Sequence, residues 1–303
     1  MYLKIKSFLA ILFLFNNFCI SAQKTDSVKT DTLTFWKLKS LYTLNGTQSS
    51  FVNWNSGGRN NISLNASISA NAVYNKEKWK WSSDLSLAFG GIKYLDEAAF
   101  MNLQKTDDKI DLSSMLGIRF SKKSLLSINA GFKTQFADGF TFPNDSIAVS
   151  KFMAPGYLNL ALGVDYIKDK GFSIFASPLA AKTTFVMDDY LSQLGAFGVE
   201  KGERIRHEFG AFIKLKWNTE VMKNVEMKSK VELFSNYLNK PQNIDVNAEL
   251  IFIFRVNSLF SATAQWNLVY DDDIQIRDKN GNVGPRTQFK SVLGIGISYK
   301  LEN

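Results

Sequence analysis

Between Ile244 and Val256 the chain reads Ile-Asp-Val-Asn-Ala-Glu-Leu-Ile-Phe-Ile-Phe-Arg-Val, with an apolar residue at every even position. Asp245, Asn247, Glu249 and Arg255 take odd positions, interrupted by Ile251 and Ile253. Successive side chains of a strand point to opposite faces, so one face is apolar and the other largely charged. The run is long for an ordinary strand, whereas a strand that crosses a bilayer needs about 9–11 tilted residues. One such strand also suits a soluble antiparallel sheet. The constraint comes from repetition.

Eleven more segments read as strands: Trp36 to Leu44, Ile62 to Tyr74, Trp79 to Phe89, Ile110 to Phe120, Leu126 to Phe136, Leu158 to Tyr166, Phe172 to Val186, Ile205 to Trp217, Val225 to Tyr237, Phe260 to Tyr270 and Phe289 to Leu301. Phe172 to Val186 is the least regular, and Pro178 inside it predicts a bulge or an edge distortion. The connections alternate between long and short, with a brief turn near Pro241 as the exception. That rhythm predicts an all-β fold: a transmembrane up-and-down antiparallel β-barrel of about 12 strands, with short periplasmic turns and longer external loops. Both chain termini then face the periplasm. Closure leaves no backbone edge unpaired in lipid.

Two further patterns share the alternation. Trp36, Tyr74, Trp79, Trp81, Tyr166, Trp217 and Tyr299 fall at the expected periplasmic strand ends with apolar parity, as an interfacial girdle requires. Gly117, Gly131, Gly163, Gly210, Gly294 and Gly296 all take the polar parity, where they would relieve crowding inside a barrel. The competing fold is a soluble sandwich or ligand-binding barrel, which would bury its apolar face inside and use shorter strands.

The 303 residues are 45% hydrophobic, too polar for a bundle of membrane helices and ample for one large domain. The net charge of +8 comes from scattered Lys and Arg rather than a basic run with interleaved aromatics, so the pattern does not suggest nucleic-acid binding. Residues 1–22 read as a cleaved signal peptide: Lys4 and Lys6, an apolar run from Ser7 to Phe15, then Ile20-Ser21-Ala22. Cys19 lacks the small residues that a lipoprotein signal wants before it. Residues 23–35 read as a periplasmic lead-in and 36–303 as the barrel, which places the protein in the cell outer membrane in contact with its lipid.

Catalytic chemistry finds little footing. His207 is the only histidine, on the apolar parity near an external strand end. An outward His there is similar to outer-membrane phospholipase A, but Phe209 stands where the nucleophile would follow. Asp271-Asp272-Asp273 and Asp278-Lys279-Asn280-Gly281-Asn282 offer oxygens without the glycine and glutamate of a calcium loop. Gly57-Gly58 and Gly90-Gly91 precede no Lys-Ser/Thr, so neither forms a phosphate-cradling motif. No catalytic residue, metal ligand or cofactor site is expected.

The interior parity is richer. It holds Asp84, Asp111, Arg119, Lys133, Gln135, Arg206, Glu208, Lys230, Glu232, Glu249, Arg255 and Lys290 as lumen-lining candidates, with Asn247, Gln265 and Asn267 among them. Lys80, Lys214, Lys216, Lys228 and Lys300 share the parity nearer the periplasmic mouth, against Asp165 and Glu226. Deeper in, the signs nearly balance, which suits cross-lumen pairing better than a selective pore. Twelve strands fit either an open pore or a filled lumen.

The segments Phe132-Lys133-Thr134-Gln135-Phe136, Phe152-Met153-Ala154-Pro155, Tyr270-Asp271-Asp272-Asp273 and Gln288-Phe289-Lys290, with Trp54 through Asn61, carry a resemblance. By them the chain resembles an uncharacterised Bacteroidota family, domain of unknown function 3078, over about Trp36 to Leu301. The resemblance implies an outer-membrane barrel and supplies no activity, substrate or catalytic residue. The chain ends Leu301-Glu302-Asn303, where many outer-membrane barrels finish on an aromatic. The expectation is a narrow small-solute channel, or alternatively a structural or partner-binding protein acting through its external loops; the protein or solute partner stays open.

Overall fold

A computed structural model describes residues 35–52, 59–95, 103–168, 171–277 and 281–302. Among the described residues sixteen strands run in chain order: β1 (Trp36–Ser49), β2 (Asn61–Lys76), β3 (Trp79–Tyr94), β4 (Gln104–Arg119), β5 (Ser124–Thr134), β6 (Gly139–Phe140), β7 (Ala148–Ser150), β8 (Gly156–Ile167), β9 (Phe172–Phe185), β10 (Ile205–Met222), β11 (Val225–Asn236), β12 (Ile244–Arg255), β13 (Phe260–Tyr270), β14 (Gln275–Arg277), β15 (Val283–Pro285) and β16 (Gln288–Glu302). Twelve of them close a barrel in the order β1-β16-β13-β12-β11-β10-β9-β8-β5-β4-β3-β2, and every ladder is antiparallel. β1 and β16 join the ends, from Lys39 opposite Glu302 to Asn45 opposite Gly296.

The short connections 77–78, 120–123, 168–171, 223–224 and 256–259 lie at one end, and 50–60, 95–103, 135–155, 186–204, 237–243 and 271–287 at the other. The link near Pro241 belongs with the longer ones, so the alternation has no exception. Several strands also run further than the alternation suggested. β1 continues to Ser49, β3 to Tyr94 and β10 to Met222, and β4 starts at Gln104. Polar residues can extend a ladder beyond the hydrocarbon, where apolar alternation is no longer required. Three connections expected as plain loop hold structure: the hairpins β6–β7 and β14–β15, and a helix α1 (Asp189–Gln193) followed by a 3₁₀ turn (Ala196–Gly198). The leader and nearly all of the lead-in lie outside the described residues.

The outer face carries the apolar parity. Leu64, Leu112, Ile128, Leu160, Phe209 and Phe289 are all exposed, and Leu293 and Ile295 reach 69% and 68%. A continuous apolar surface around a closed sheet is untenable in water and is what hydrocarbon requires. This is a barrel of the outer-membrane kind. At its short-turn end Trp36 meets Tyr74 at 5.2 Å and Trp81 at 5.5 Å between ring centroids, while Phe172 packs edge-on to Trp217.

β9 departs from regular alternation around Pro178. Leu162 and Val164 of β8 face Leu179 and Ala176, and Gly210 and Phe212 of β10 face Ala180 and Ser177. β9 therefore carries one extra residue against both neighbours, a bulge. The Ser177 hydroxyl fills the gap in the ladder, accepting from the Leu179 N–H at 3.2 Å and lying 2.7 Å from the Leu162 carbonyl oxygen. The bulge flips parity along the strand, so Phe175 and Lys182 both point inward. Gly163 and Gly210 sit beside it, where a Cβ would run into the carbonyl oxygens of Ala176 and Ser235. Gly131 has no such crowding: its nearest neighbour would be the Asn159 Cβ at 3.9 Å.

Candidate functional site

The lumen is crossed at mid-height by four alternating charges. Lys109 on β4 donates to Glu249 on β12 at 2.6 Å, and Lys230 on β11 donates to Asp111 on β4 at 2.6 Å. Lys109 lies 3.9 Å from Asp111, and Lys230 faces Glu249 in the β11–β12 register. Each charge thus has two neighbours of opposite sign. Glu249 also accepts from Gln265 at 3.0 Å and Asn267 at 3.2 Å. Pairing of this kind offsets the hydration that charges lose in a confined space.

Around this square the other candidates fall into groups. Lys133 on β5 bonds Glu232 on β11, and Lys216 on β10 bonds Asp84 on β3. Lys290 donates to Asp107 at 2.6 Å. Arg206 and Glu208 belong to a layer nearer the long loops. There Lys182 meets Asp245 at 2.6 Å, Asp271 at 2.9 Å and Glu208 at 3.5 Å, and Arg206 bonds Asp273 and the Gly198 carbonyl. That last bond ties the 186–204 loop to the charged layer. Arg255 pairs with Glu226 at 2.9 Å by the short-turn end. Arg119 sits apart at the end of β4, donating to Asn75 at 3.4 Å, and Gln135 lies just past β5, beside Lys105.

Sequence reasoning missed three features. Asp107 and Lys109 fell in the connection expected before Ile110, because β4 starts at Gln104. Lys182 was hidden by the parity flip in β9. Phe175, Phe212 and Phe234 form a buried apolar cluster inside the barrel with Ala161 and Ala180, and Met115 packs against it. Phe212 and Phe234 have the parity of Lys214 and Glu232, and that alone marks them as interior. Lys182 lies over the Phe234 ring at 5.4 Å, tying the cluster to the charged layer above.

Below the square, a cavity of ≈ 680 Å³ opens to the short-turn end. Asp111, Lys230 and Glu249 line its inner limit; Lys39, Lys228, Arg255 and Lys300 stand near the rim. On the long-loop side, Lys151 and Asp188 pair at 2.6 Å, which holds the Asp188 carboxyl below and the Lys151 ammonium above their usual ranges. Asp188 also caps α1 by accepting from the Leu191 N–H at 3.0 Å. Behind it, Ala154, Val186, Leu191 and Val199 form a second apolar cluster.

Asp271 and Asp273 are engaged by Lys182 and Arg206, and Asp272 accepts from Asn243 at 2.7 Å; residues 278–280 lie outside the described residues. Among the described residues no group of three or more His, Cys, Asp or Glu side chains is placed to hold a metal ion. His207 is outward, its Nδ1 3.0 Å from the Thr183 hydroxyl, and Phe209 beside it is exposed.

The family described as Protein of unknown function (DUF3078) matches residues 47–140. That range covers β2 through β6 and excludes the resembling segments at Phe152, Tyr270 and Gln288. No curated protein matches the chain. Among solved structures it is similar to an outer membrane channel from Pseudomonas putida F1 at 12% identity and TM-score 0.39, covering 92% of this chain and 100% of that one. It is also similar to the NanC porin at 7% identity and TM-score 0.36, covering 85% and 98%. Outer membrane phospholipase A from Escherichia coli aligns at 10% identity and TM-score 0.35, covering 91% and 94%.

Proposed function

We propose that the protein is a narrow outer-membrane channel for small solutes, without catalytic activity, whose resting lumen is closed by ion pairs. The observation that carries this reading is the square of Lys109, Asp111, Lys230 and Glu249 at the inner limit of the vestibule. Side chains joined by ion pairs form the barrier there, and water and passing ions can replace such partners. The leader at 1–22 would deliver the chain for assembly with the short turns in the periplasm. The lumen candidates named from the sequence would then act as gate and lining.

The test is conductance in planar bilayers. A closed square opening transiently gives small, intermittent steps with weak ion selectivity, because interleaved charges largely cancel beyond about 8 Å. A large, steady, selective current would overturn the reading.

A second reading rests on the external loops, where Phe142, Phe152, Tyr190 and Leu194 are exposed outside the apolar band. They would suit a protein partner. A barrel that stays silent even when the square is broken would favour it.

A further inference from the structure

A recess of ≈ 50 Å³ opens off the vestibule between β3, β4, β5, β8, β9 and β10. It shares Lys80, Asp84, Lys214 and Lys216 with the larger cavity, so it is reached from the short-turn end. Three ammonium groups, Lys80, Lys214 and Lys216, line it against two carboxylates, Asp84 and Asp165.

The charges are unevenly matched. Asp84 is bonded to Lys216 and accepts from Asn71 at 2.8 Å. Lys214, only 3% exposed, spends its hydrogen bonds on the neutral oxygens of Ser113 and Asn129; Glu232 stays 3.8 Å away. Among the described residues, Lys80 has no salt bridge. Two buried polar groups have no partner: the Asp165 Oδ1, on a residue 5% exposed, and the Ser127 hydroxyl, on a residue 2% exposed. Leaving such groups unpaired is unfavourable, so a species that pairs with them in the recess is stabilised there.

We infer that this recess binds inorganic phosphate taken up from the periplasmic side. The three ammonium groups suit the unprotonated oxygens of a small oxyanion. Asp165 would repel a fully deprotonated anion but accepts from one that keeps an O–H. Hydrogen phosphate keeps a proton at neutral pH. Sulfate, of nearly the same size and shape, keeps none. The Ser127 hydroxyl is free to donate or accept. The excess positive charge along the vestibule would draw anions inward. The inference does not depend on conduction, because a barrel that never opens still presents the recess to the periplasm.

The experiment is calorimetric titration of the detergent-solubilised full barrel with sodium phosphate and, separately, sodium sulfate at neutral pH and fixed ionic strength. Phosphate is expected to bind about tenfold or more tightly than sulfate. Lys80→Gln should weaken both anions. Asp165→Asn replaces an acceptor with an amide that can donate, so it should weaken phosphate, strengthen sulfate and collapse the ratio. Heat-dependent gel migration checks that each variant is folded. Should Asp165→Asn not assemble, the phosphate-to-sulfate ratio of the unmodified protein and the Lys80→Gln titration still decide. No phosphate binding, or equal binding of the two anions by the unmodified protein, overturns the inference.

Discussion

Lys109 on β4 reaches Glu249 on β12 at 2.6 Å, although the two strands stand diametrically opposite in the ring. Two such side chains and their bond span at most about 14 Å between Cα atoms. A circular ring of twelve strands about 4.8 Å apart, tilted about 40°, would be about 24 Å across. The barrel is therefore flattened at this level, with β4 pressed toward the β11–β12 wall. Flattening makes the lumen narrow enough for side chains to close it.

Breaking the square should open the lumen. Glu249→Ala or Lys230→Ala removes one of the two pairs that join the walls and leaves the other beside a like-charged neighbour that weakens it. If the lost pair contributes about 1.4 kcal/mol to the closed arrangement, the closed-to-open ratio falls about tenfold. Bilayer recordings should then show longer or larger openings than the unmodified protein. Traces indistinguishable from it would remove the gating role of these residues.

The barrel was legible because its alternation is imposed by lipid, strand after strand, and lipid tolerates few exceptions. Leu250 outward and Glu249 inward follow from parity alone. Parity gives only the side of the sheet, however, and the partners come from the ring order. Nothing in local sequence says that Lys109 meets Glu249, 140 residues away. The residues Asp107, Lys109 and Asp111 do alternate inward, but Asp107 and Lys109 were placed in a connection because β4 starts earlier than its apolar positions indicate. Lys182 and Phe175 needed the β9 bulge, whose parity flip depends on ladders to both neighbours. Phe212 and Phe234 break the simple rule that an interior face is polar, since a flattened barrel can bury a small apolar core of its own.

Leu250 and Glu249 give the direct test of inside against outside. Leu250→Arg places a charge in lipid and should cost roughly 2–4 kcal/mol near the bilayer midplane. Glu249→Gln keeps an acceptor for Lys109 and leaves the outer face untouched, so the change should be smaller. Denaturant unfolding of the reconstituted barrel would measure both. Equal losses would contradict the orientation.

The glycines beside the bulge should differ from one that is not crowded. Gly210→Ala drives a methyl group against the Ser235 carbonyl, and backbone cannot move aside as a side chain can. Overpacking of this kind costs about 1–3 kcal/mol. Gly131→Ala meets only the Asn159 Cβ at 3.9 Å and should stay within about 0.5 kcal/mol of the parent. Comparable losses at both positions would mean that the close approach at Gly210 does not constrain the barrel.

The 186–204 loop should loosen in acid and not at neutral pH. Asp188 is held below its ordinary range chiefly by its hydrogen bond to Lys151, aided by the α1 N–H groups. A depressed carboxylate contributes fully above its unfolded value, about 3.9, and loses that contribution as pH falls through the lower folded value. Lys151, raised by the same bond, keeps its share below about 10.4 and loses it only as pH climbs through its higher folded value. The 186–204 loop should therefore be equally protected from proteolysis at every pH between about 5 and 9, and open progressively as pH falls below about 4. An acid-stable protease can be compared across the lower range and a neutral one across the upper. Asp188→Ala, which removes both the ion pair and the helix cap, should raise cleavage at neutral pH, consistent with about 1 kcal/mol for a lost cap. Uniform cleavage from pH 3 to pH 7, with Asp188→Ala unchanged, would show that the Ala154–Val199 apolar cluster holds the loop without the pair.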